Sequence, residues 1–147
     1  MSAATAELFL ASSDSEIEAC FEAFSALRPH VKREQFLSLV RRQERESYRI
    51  LAVRADGLIP CVGGFRLAHF LAWGKVLYID DLSTVPEARG RGYASAALQW
   101  LTAHARSLKC DAVHLDSGYA RHAAHRLYLN SGFRLSSHHF SLELSAS

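Results

Sequence analysis

The sequence predicts an α/β fold in which a mixed, mostly antiparallel central sheet is flanked by helices. Two features of the chain predict it. Several β-prone segments follow one another at short spacing in the first half, as in antiparallel sheets, and strand-like and helical segments then alternate, as in β-α-β units. The length of 147 residues suits one domain with a core of its own. We therefore expect residues 1–147 to form a single domain.

The individual elements follow from hydrophobic periodicity and turn residues. Helices are predicted at residues 14–27, 32–46, 91–109 and 120–130. Strands are predicted at residues 48–54, 60–67, 68–73, 76–85, 111–116 and 138–144. The pair Gly63-Gly64 suggests a β-bulge, and Gly132 stands where a left-handed helix cap is expected. The helix over 91–109 is the clearest, with a buried stripe at Ala94, Ala97, Leu98, Leu101, Ala105 and Leu108.

Composition and charge exclude several classes of protein. Apolar residues make up 49% of the chain, charged residues 22%, and the net charge of +2 gives no reason to expect a nucleic-acid or membrane partner. No apolar run approaches the roughly 18 residues of a membrane-spanning helix, and the first residues lack the pattern of a secretory signal. Cys20, Cys61 and Cys110 lack zinc-type spacing, so we expect reduced, mostly buried thiols in a cytoplasmic protein.

The most informative segment is the glycine loop, residues 89–95, between a long predicted strand and the clearest helix. Glycines there let backbone N–H groups point into a hollow, and the helix N-terminus adds partial positive charge. Arg89 and Arg91 add two full charges, a combination that suits a pyrophosphate. Ser95 stands where a dinucleotide-binding loop needs its third glycine, and the Walker A pattern is absent. The alternative is an ordinary strand-to-helix turn that needs glycine.

Three ordered motifs carry a resemblance to a known family. Arg89-x-x-Gly92-x-Ala94 matches the Q/R-x-x-G-x-G/A motif, the strand over 78–86 looks like the family's fourth strand, and Ala124 to Phe133 looks like its A-x-x-x-Y-x3-G-F box. On these motifs the chain resembles the GNAT family of N-acetyltransferases over most of its length. Residues 117–128 and the ending at 138–140 are similar to a subgroup that includes aminoalkylphosphonate acetyltransferases.

The resemblance implies acetyl-CoA as the acyl donor and a set of residues that hold it. The loop would bind the pyrophosphate through backbone N–H groups, and the fourth strand would splay from its neighbour to offer backbone groups to the pantetheine arm. A backbone N–H near Leu82 would polarise the thioester carbonyl. The cofactor-binding residues implied are Leu82, Ser83, Thr84, Arg89, Gly90, Arg91, Gly92, Tyr93, Ala94 and Ser95. A homodimer is common in the family.

Proton transfer points to two acids and a tyrosine. An alkylamine has a pKa near 10, so reaching its neutral form at pH 7 costs about 4 kcal/mol, and a nearby carboxylate can take the proton. Asp80 and Asp81 are the candidates. Strand alternation places only one of them toward the cleft, and Asp80, on the face of Leu82 and Thr84, is favoured over Asp81. The alternative is that both acids only satisfy local backbone or pair with arginine.

The resemblance gives Tyr128 the role of protonating the departing CoA thiolate. A phenol with a pKa near 10 carries its proton at neutral pH, which fits an acid; the alternative is a tyrosine that only packs on the sheet. Many members carry an asparagine where this chain has Arg121. That departure leaves open whether Arg121 binds an anionic group or is solvated at the helix start.

Histidines and a basic stretch offer weaker hypotheses. His122 and His125 are three apart on a helix, whereas His138 and His139 would point to opposite faces of a strand, and no acid or cysteine has ligand spacing. We therefore expect no metal, although a histidine could line the substrate site. The segment 32–49 carries six basic residues mixed with glutamates, which fits either a solvated helix face or an anionic acceptor.

These observations predict an N-acetyltransferase that moves an acetyl group from acetyl-CoA to a primary amine, of a small molecule, by direct attack in a ternary complex. A second enzymatic hypothesis is a protein lysine or N-terminal acetyltransferase. A hypothesis from another class is a non-catalytic acyl-CoA sensor. The retained candidate acid and bases favour an enzyme over the sensor.

Overall fold

A computed structural model describes residues 5–145 of the chain. The described residues divide into two compact units, 5–115 and 116–145. In the first unit lie β1 (Glu7–Ala11), α1 (Asp14–Ala19), α2 (Phe21–Leu27), α3 (Arg33–Glu44), β2 (Arg49–Ala55), β3 (Leu58–Phe70), β4 (Gly74–Thr84), α4 (Tyr93–Ser107) and β5 (Ala112–Leu115). The second unit contains α5 (His122–Asn130). Within residues 5–145, no helix is both long and apolar enough to cross a membrane.

The first unit is built on one five-stranded sheet. Its strands lie in chain order, β1-β2-β3-β4-β5, and every neighbouring pair is antiparallel except the parallel pair β4 and β5. The helix α4 and its flanking loops form the crossover between those parallel strands, as such a connection requires. The predicted mixed, mostly antiparallel sheet with flanking helices is confirmed.

Helices cover the two faces of this sheet with separate apolar contacts. On one face, α1, α2 and α3 pack their apolar stripes onto β2 and β3, in a core that includes Ile17, Phe24, Phe36, Ile50 and Val62. On the other face lies α4, whose buried residues are Tyr93, Ala97, Leu98, Leu101 and Ala105. The stripe predicted for this helix is confirmed at its centre, and only Ala94 and Leu108 near its ends are partly exposed.

Most elements lie within a few residues of their predicted bounds, but four expectations are wrong. The single helix predicted at 14–27 is two helices that meet at Cys20. The strands predicted at 60–67 and 68–73 are one strand, β3, because Leu67 and Ala68 both pair with β4 and leave no turn between them. The short strand β1 was not predicted, since five residues give little periodicity.

The fourth error concerns the C-terminal strand predicted at 138–144. No strand forms there in the described part of the chain, which continues to residue 145. Phe140 is 90% exposed and Leu142 is 84% exposed. Alternation of apolar residues indicates a face that could be buried, but a strand also needs a neighbour for its backbone groups.

Candidate active site

A β-bulge in β4 forms the centre of the candidate site. Gly64 pairs with Asp81, but the next residue of β3, Phe65, pairs with Ile79, so Asp80 is an extra residue in β4. The predicted irregularity beside Gly63-Gly64 is therefore present, although the inserted residue belongs to the opposite strand. A bulge leaves its extra residue outside the ladder and redirects its side chain.

The bulge overturns the expectation that strand alternation turns the two acids to opposite faces of the sheet. A side chain at Gly64 would point at Tyr48 and the Asp81 carboxylate, whereas one at Gly63 would point at Leu82 on the opposite face. Asp81 and Leu82 therefore alternate as expected. Asp80 does not share a face with Leu82, because its carboxylate turns to the same side as that of Asp81.

The Asp81 carboxylate is held by one donor on each oxygen. The Tyr48 hydroxyl donates to Oδ2 at 2.8 Å, and Arg28 Nε donates to Oδ1 at 2.9 Å. The Tyr48 side chain is buried, and burial followed by the charge of Asp81 raises the pKa of its phenol well above the ordinary value. Tyr48 is therefore a permanent donor that fixes the orientation of the carboxylate.

The Asp80 carboxylate forms a bidentate pair with Arg66. Arg66 Nε donates to both oxygens, at 3.0 and 3.1 Å, and Nη2 donates to Oδ2 at 2.5 Å. The hydrogen bonds to Asp80 raise the pKa of Arg66. Arg66 is also bonded to Gln43 and lies over the Tyr48 ring at 5.3 Å. Each of the two acids is thus paired with an arginine, the alternative raised for them on sequence grounds.

The last residues of β4 extend beyond its pairing with β5. The parallel register ends at Ile79 and Leu115, and β4 continues to Thr84 while still paired with β3. Among residues 5–145, no strand pairs with β4 on this side beyond Ile79. Leu82 and Ser83 are buried there, and Thr84 is partly exposed. Open backbone groups on a buried strand end fit the backbone contacts expected at these residues.

The glycine loop has the geometry of an anion-binding turn. Gly90 and Gly92 have φ values of 78° and 85°, in the left-handed region that favours glycine. Gly92 is the N-cap of α4, and within the described residues no side chain caps it. The first intrahelical bond runs from Ala96 N–H to Gly92 O, so the amides of Ala94 and Ser95 have no partner inside the helix.

The two arginines of the loop fold back onto it and leave their charge exposed. Arg89 Nε donates to the Thr84 carbonyl at 3.3 Å, and Arg91 Nη2 donates to the Glu87 carbonyl at 3.2 Å. Both residues are exposed, whereas Tyr93, the first residue of the helix, is buried. The loop therefore offers two cations and a helix N-terminus on the same stretch of surface.

In the second unit, Tyr128 is a buried residue on α5. Its ring packs against Phe133 at 5.9 Å, and the Phe133 N–H bonds to the Tyr128 carbonyl, as the glycine cap at Gly132 allows. Burial raises the pKa of the Tyr128 phenol above its ordinary value, and the positive charge of Arg121, together with a hydrogen bond from it, opposes that shift. Arg121 is thus a neighbour of the candidate acid, a contact that the sequence did not indicate.

The histidines of the second unit contact their own surroundings. His125 Nε2 lies 2.7 Å from the Gly118 carbonyl, and His138 Nδ1 lies 3.2 Å from the Tyr119 hydroxyl. His139 lies 3.4 Å from an oxygen of Asp116. In the described part of the chain, no three histidine, cysteine or acidic residues are grouped as a metal site would require.

The cysteines are free thiols, as predicted. Cys20 and Cys61 are buried and Cys110 is partly exposed. Burial raises the pKa of Cys20 to about 12 and that of Cys61 to about 11. A thiol must be deprotonated to act as a nucleophile, so neither buried cysteine suits a covalent acyl intermediate.

Sequence reasoning missed the residues that hold the acidic pair. Arg28 follows the end of α2, Tyr48 precedes β2, and Arg66 lies in β3. Nothing in the spacing of these residues connects them with β4. The signal that could have located the contact is Gly64. A Cβ there would lie 1.9 Å from the Tyr48 hydroxyl oxygen, so a glycine is required where that side chain crosses the strand.

Comparison with known proteins supplies the family. The model of the acetyltransferase (GNAT) family matches residues 14–133. The uncharacterized N-acetyltransferase YhdJ of Bacillus subtilis (strain 168) is 32% identical over 98 residues, which cover 66% of this chain and 69% of that protein.

Solved structures show the same fold. An acetyltransferase of Trypanosoma brucei aligns with a TM-score of 0.78 at 22% identity, over 95% of this chain and 99% of that one. The aminoglycoside N-acetyltransferase AAC(6')-Iy in complex with CoA aligns with a TM-score of 0.79 at 13% identity, over 96% and 97% of the two chains. Its complex with a bisubstrate analogue gives 0.82 at 12% identity, over 96% and 99%. The family model matches most of the chain, and the solved structures share its fold. The chain therefore belongs to the GNAT acetyltransferase family.

Proposed function

We propose that this protein moves an acetyl group from acetyl-CoA to the primary amine of a small molecule, by direct attack in a ternary complex. The observation that carries the proposal lies within the first unit. The bulged end of β4, with open backbone groups and two carboxylates, leads directly into a glycine loop at the N-terminus of α4. One side of this arrangement suits an anionic cosubstrate and the other suits a cationic amine.

Acetyl-CoA would be held along β4 and the loop that follows it. The pyrophosphate is assigned to the loop because the amides of Ala94 and Ser95 and the guanidinium groups of Arg89 and Arg91 are available there. The pantetheine arm is assigned to the open edge of Leu82, Ser83 and Thr84. A backbone N–H near Leu82 would stabilise the oxyanion that forms on the thioester carbonyl.

In the reaction, the amine nitrogen attacks the thioester carbon, the carbon–sulfur bond breaks, and the amine loses a proton. We assign that proton to Asp81 rather than to Asp80, the acid favoured on sequence grounds. Three contacts from Arg66 engage both oxygens of Asp80, whereas Asp81 receives one donor on each oxygen. A carboxylate oxygen has two acceptor sites, so Asp81 keeps capacity for an ammonium group. Tyr128 returns a proton to the CoA thiolate.

The choice of a small acceptor is supported by one comparison. AAC(6')-Iy, which has the same fold, is named for acetylating aminoglycosides, and its bisubstrate analogue contains acetylneamine. A protein lysine or N-terminus is the competing acceptor. The family model spans both units, which supports the proposal that they form one domain. A cytoplasmic location and a homodimer are part of the proposal on the sequence grounds given above.

The experiment is a free-thiol release assay with acetyl-CoA against a panel of amines. The panel contains simple alkylamines, polyamines, amino acids, aminoalkylphosphonates, aminoglycosides and lysine peptides. We expect turnover with at least one small amine and an intersecting pattern of initial rates, because a ternary complex requires both substrates bound together. Turnover with peptides alone would replace the small acceptor by a protein, and CoA binding without any turnover would favour a sensor.

A further inference from the structure

We propose that the guanidinium of Arg28 occupies the acceptor-amine subsite, and that the ammonium group of the acceptor displaces it. The inference deepens the proposed function and rests on it. The subsite consists of the Asp81 carboxylate and the backbone carbonyl of Asp80, and its ligand class is a cationic primary amine. Arg28 thereby acts as an internal competitor of the acceptor.

The contacts of Arg28 are those that a bound alkylammonium would make. Nε donates to Asp81 Oδ1 at 2.9 Å, and Nη2 donates to the Asp80 carbonyl at 3.1 Å. An ammonium group has three donors and no acceptor, so a carboxylate oxygen and a carbonyl oxygen at adjoining residues are suitable partners. The cationic side chain thus marks where a cation binds.

The bulge explains why the Asp80 carbonyl can serve a ligand. Carbonyls within an antiparallel ladder are committed to the neighbouring strand, but the extra residue of a bulge lies outside the ladder. Asp80 is that residue in β4, and the pairing of β4 with β5 already ends at Ile79. Its carbonyl is therefore offered to the α2 side, where Arg28 takes it.

The two arginines at the acidic pair differ in how easily they leave. The Arg28 side chain is 44% exposed, follows the end of α2, and contacts the site through its tip. Arg66 is 23% exposed, binds Asp80 through two nitrogens, bonds to Gln43 and lies over the Tyr48 ring. The Asp81 side chain is only 15% exposed, but the cation of this pair lies largely in solvent and makes single contacts. An incoming ammonium can therefore replace Arg28, whereas Arg66 stays.

When the acceptor displaces Arg28, the second carboxylate oxygen of Asp81, Oδ2, keeps the group in place. Tyr48 holds Oδ2 from the buried side, so the carboxylate keeps its orientation when Arg28 leaves Oδ1. The departing guanidinium frees an acceptor site on the oxygen that faces Arg28. The acceptor nitrogen then lies beside the group that takes its proton.

The test measures the KM for n-butylamine, or for the best amine of the panel, in Arg28→Gln. Removing the competitor should lower KM about two- to fivefold, the range that an exposed ion pair is worth. Arg28→Lys keeps a cationic group with three donors that can compete for the same two oxygens, so its KM should stay closer to that of the wild type than the KM of Arg28→Gln. The control is Arg54→Gln, which removes the same charge from the exposed pair with Glu7. Its KM should equal that of the wild type.

An unchanged or increased KM in Arg28→Gln would overturn the inference, because it would make Arg28 neutral or helpful to the acceptor. An equal decrease in Arg54→Gln would also overturn it, since a general effect of net charge would then suffice. A direct readout is the Nε–H resonance of Arg28 in protein saturated with CoA. Titration with n-butylamine should move it toward the position of a free guanidinium, and a fixed resonance would contradict displacement.

These readouts separate the inference from the proposed function. Turnover of small amines together with an unchanged KM in Arg28→Gln leaves the transferase function standing and removes only the competitor role. Absence of turnover with every amine, while CoA still binds, removes the proposed function and with it the assignment of the subsite to an acceptor. The two failures are therefore distinct.

Discussion

The hydroxyl of Tyr48 reaches the carboxylate of Asp81 at 2.8 Å by crossing β3 at Gly64. A Cβ at that glycine would lie 1.9 Å from the hydroxyl oxygen and 3.0 Å from an Asp81 oxygen. The absent side chain at Gly64 is thus part of the candidate site, because it makes room for the bond that orients the carboxylate.

Gly64→Ala should therefore damage both stability and acyl transfer. Tyr48 is buried and cannot move aside without disturbing its surroundings, so we expect a loss of about 1–3 kcal/mol in the free energy of unfolding, measured in urea. The matched control is Gly63→Ala on the opposite face, where the closest atom is a Leu101 methyl at 3.2 Å. A larger loss at Gly63 than at Gly64 would contradict this account.

Replacing Asp81 or Asp80 by asparagine should affect different properties, catalysis in the first case and stability in the second. Asp81→Asn should lower kcat/KM about a hundredfold or more, because an amide cannot accept the amine proton. Asp80→Asn leaves Arg66 without its partner, so its main effect should be on unfolding, by about 1–3 kcal/mol. Steady-state kinetics and urea unfolding of both variants check this. The assignment of the base to Asp81 fails if Asp80→Asn suffers the larger loss of kcat/KM at equal stability.

The sequence predicted the sheet class, the helix α4 and the position of the glycine loop because each rests on local periodicity or on glycine. The sequence predicted the wrong face for Asp80, because the prediction assumed the strict alternation of a regular strand. The extra residue of a bulge depends on the register between two strands, which one segment does not reveal. It could not indicate Arg28, Tyr48 or Arg66, since their contacts with β4 join residues that are far apart in the chain. The prediction of a strand at 138–144 is wrong for a related reason, because strand pairing requires a second segment.

A comparison of two glycines can distinguish the effect of backbone strain from the effect on CoA binding. Gly90 has φ 78° with open space around it, and Gly57 has φ 75° with equally open space in the β2–β3 turn. Alanine at either position should cost about 1–2 kcal/mol of stability, because the left-handed conformation disfavours a Cβ. Only Gly90→Ala should also weaken CoA binding, measured by calorimetry. Equal CoA affinities in the two variants would argue against the loop as the pyrophosphate site.

In the folded protein, only the thiol of Cys110 should react with a disulfide reagent. With pKa values of about 12 and about 11, Cys20 and Cys61 hold little thiolate at the mildly alkaline pH of a labelling experiment. We expect a disulfide reagent to modify Cys110 alone, and the other two only after unfolding in urea. Acyl transfer by Cys110→Ala should match the wild type. Rapid modification of all three thiols in the native protein would contradict the burial of Cys20 and Cys61.

Tyr128 should act as an acid over a wide pH range. Burial raises the pKa of its phenol above 10, so the protonated form, which donates to the CoA thiolate, persists to higher pH than in a free tyrosine. We therefore expect no loss of activity from ionisation of Tyr128 below about pH 10. Any decline in the wild type in that range should also appear in Tyr128→Phe. Tyr128→Phe should lower kcat roughly a hundredfold, the lower range for loss of a general acid, with unchanged CoA affinity.

The matched control for that variant is Tyr119→Phe, which removes an exposed hydroxyl bonded to His138 in the same unit. Its kcat should equal that of the wild type. Acyl donors in which a more acidic thiol replaces CoA offer a second check, because the thiolate of a more acidic thiol needs less protonation as it departs. With such a donor the gap between Tyr128→Phe and the wild type should narrow. An undiminished gap would give Tyr128 a packing role against Phe133 rather than a role in proton transfer.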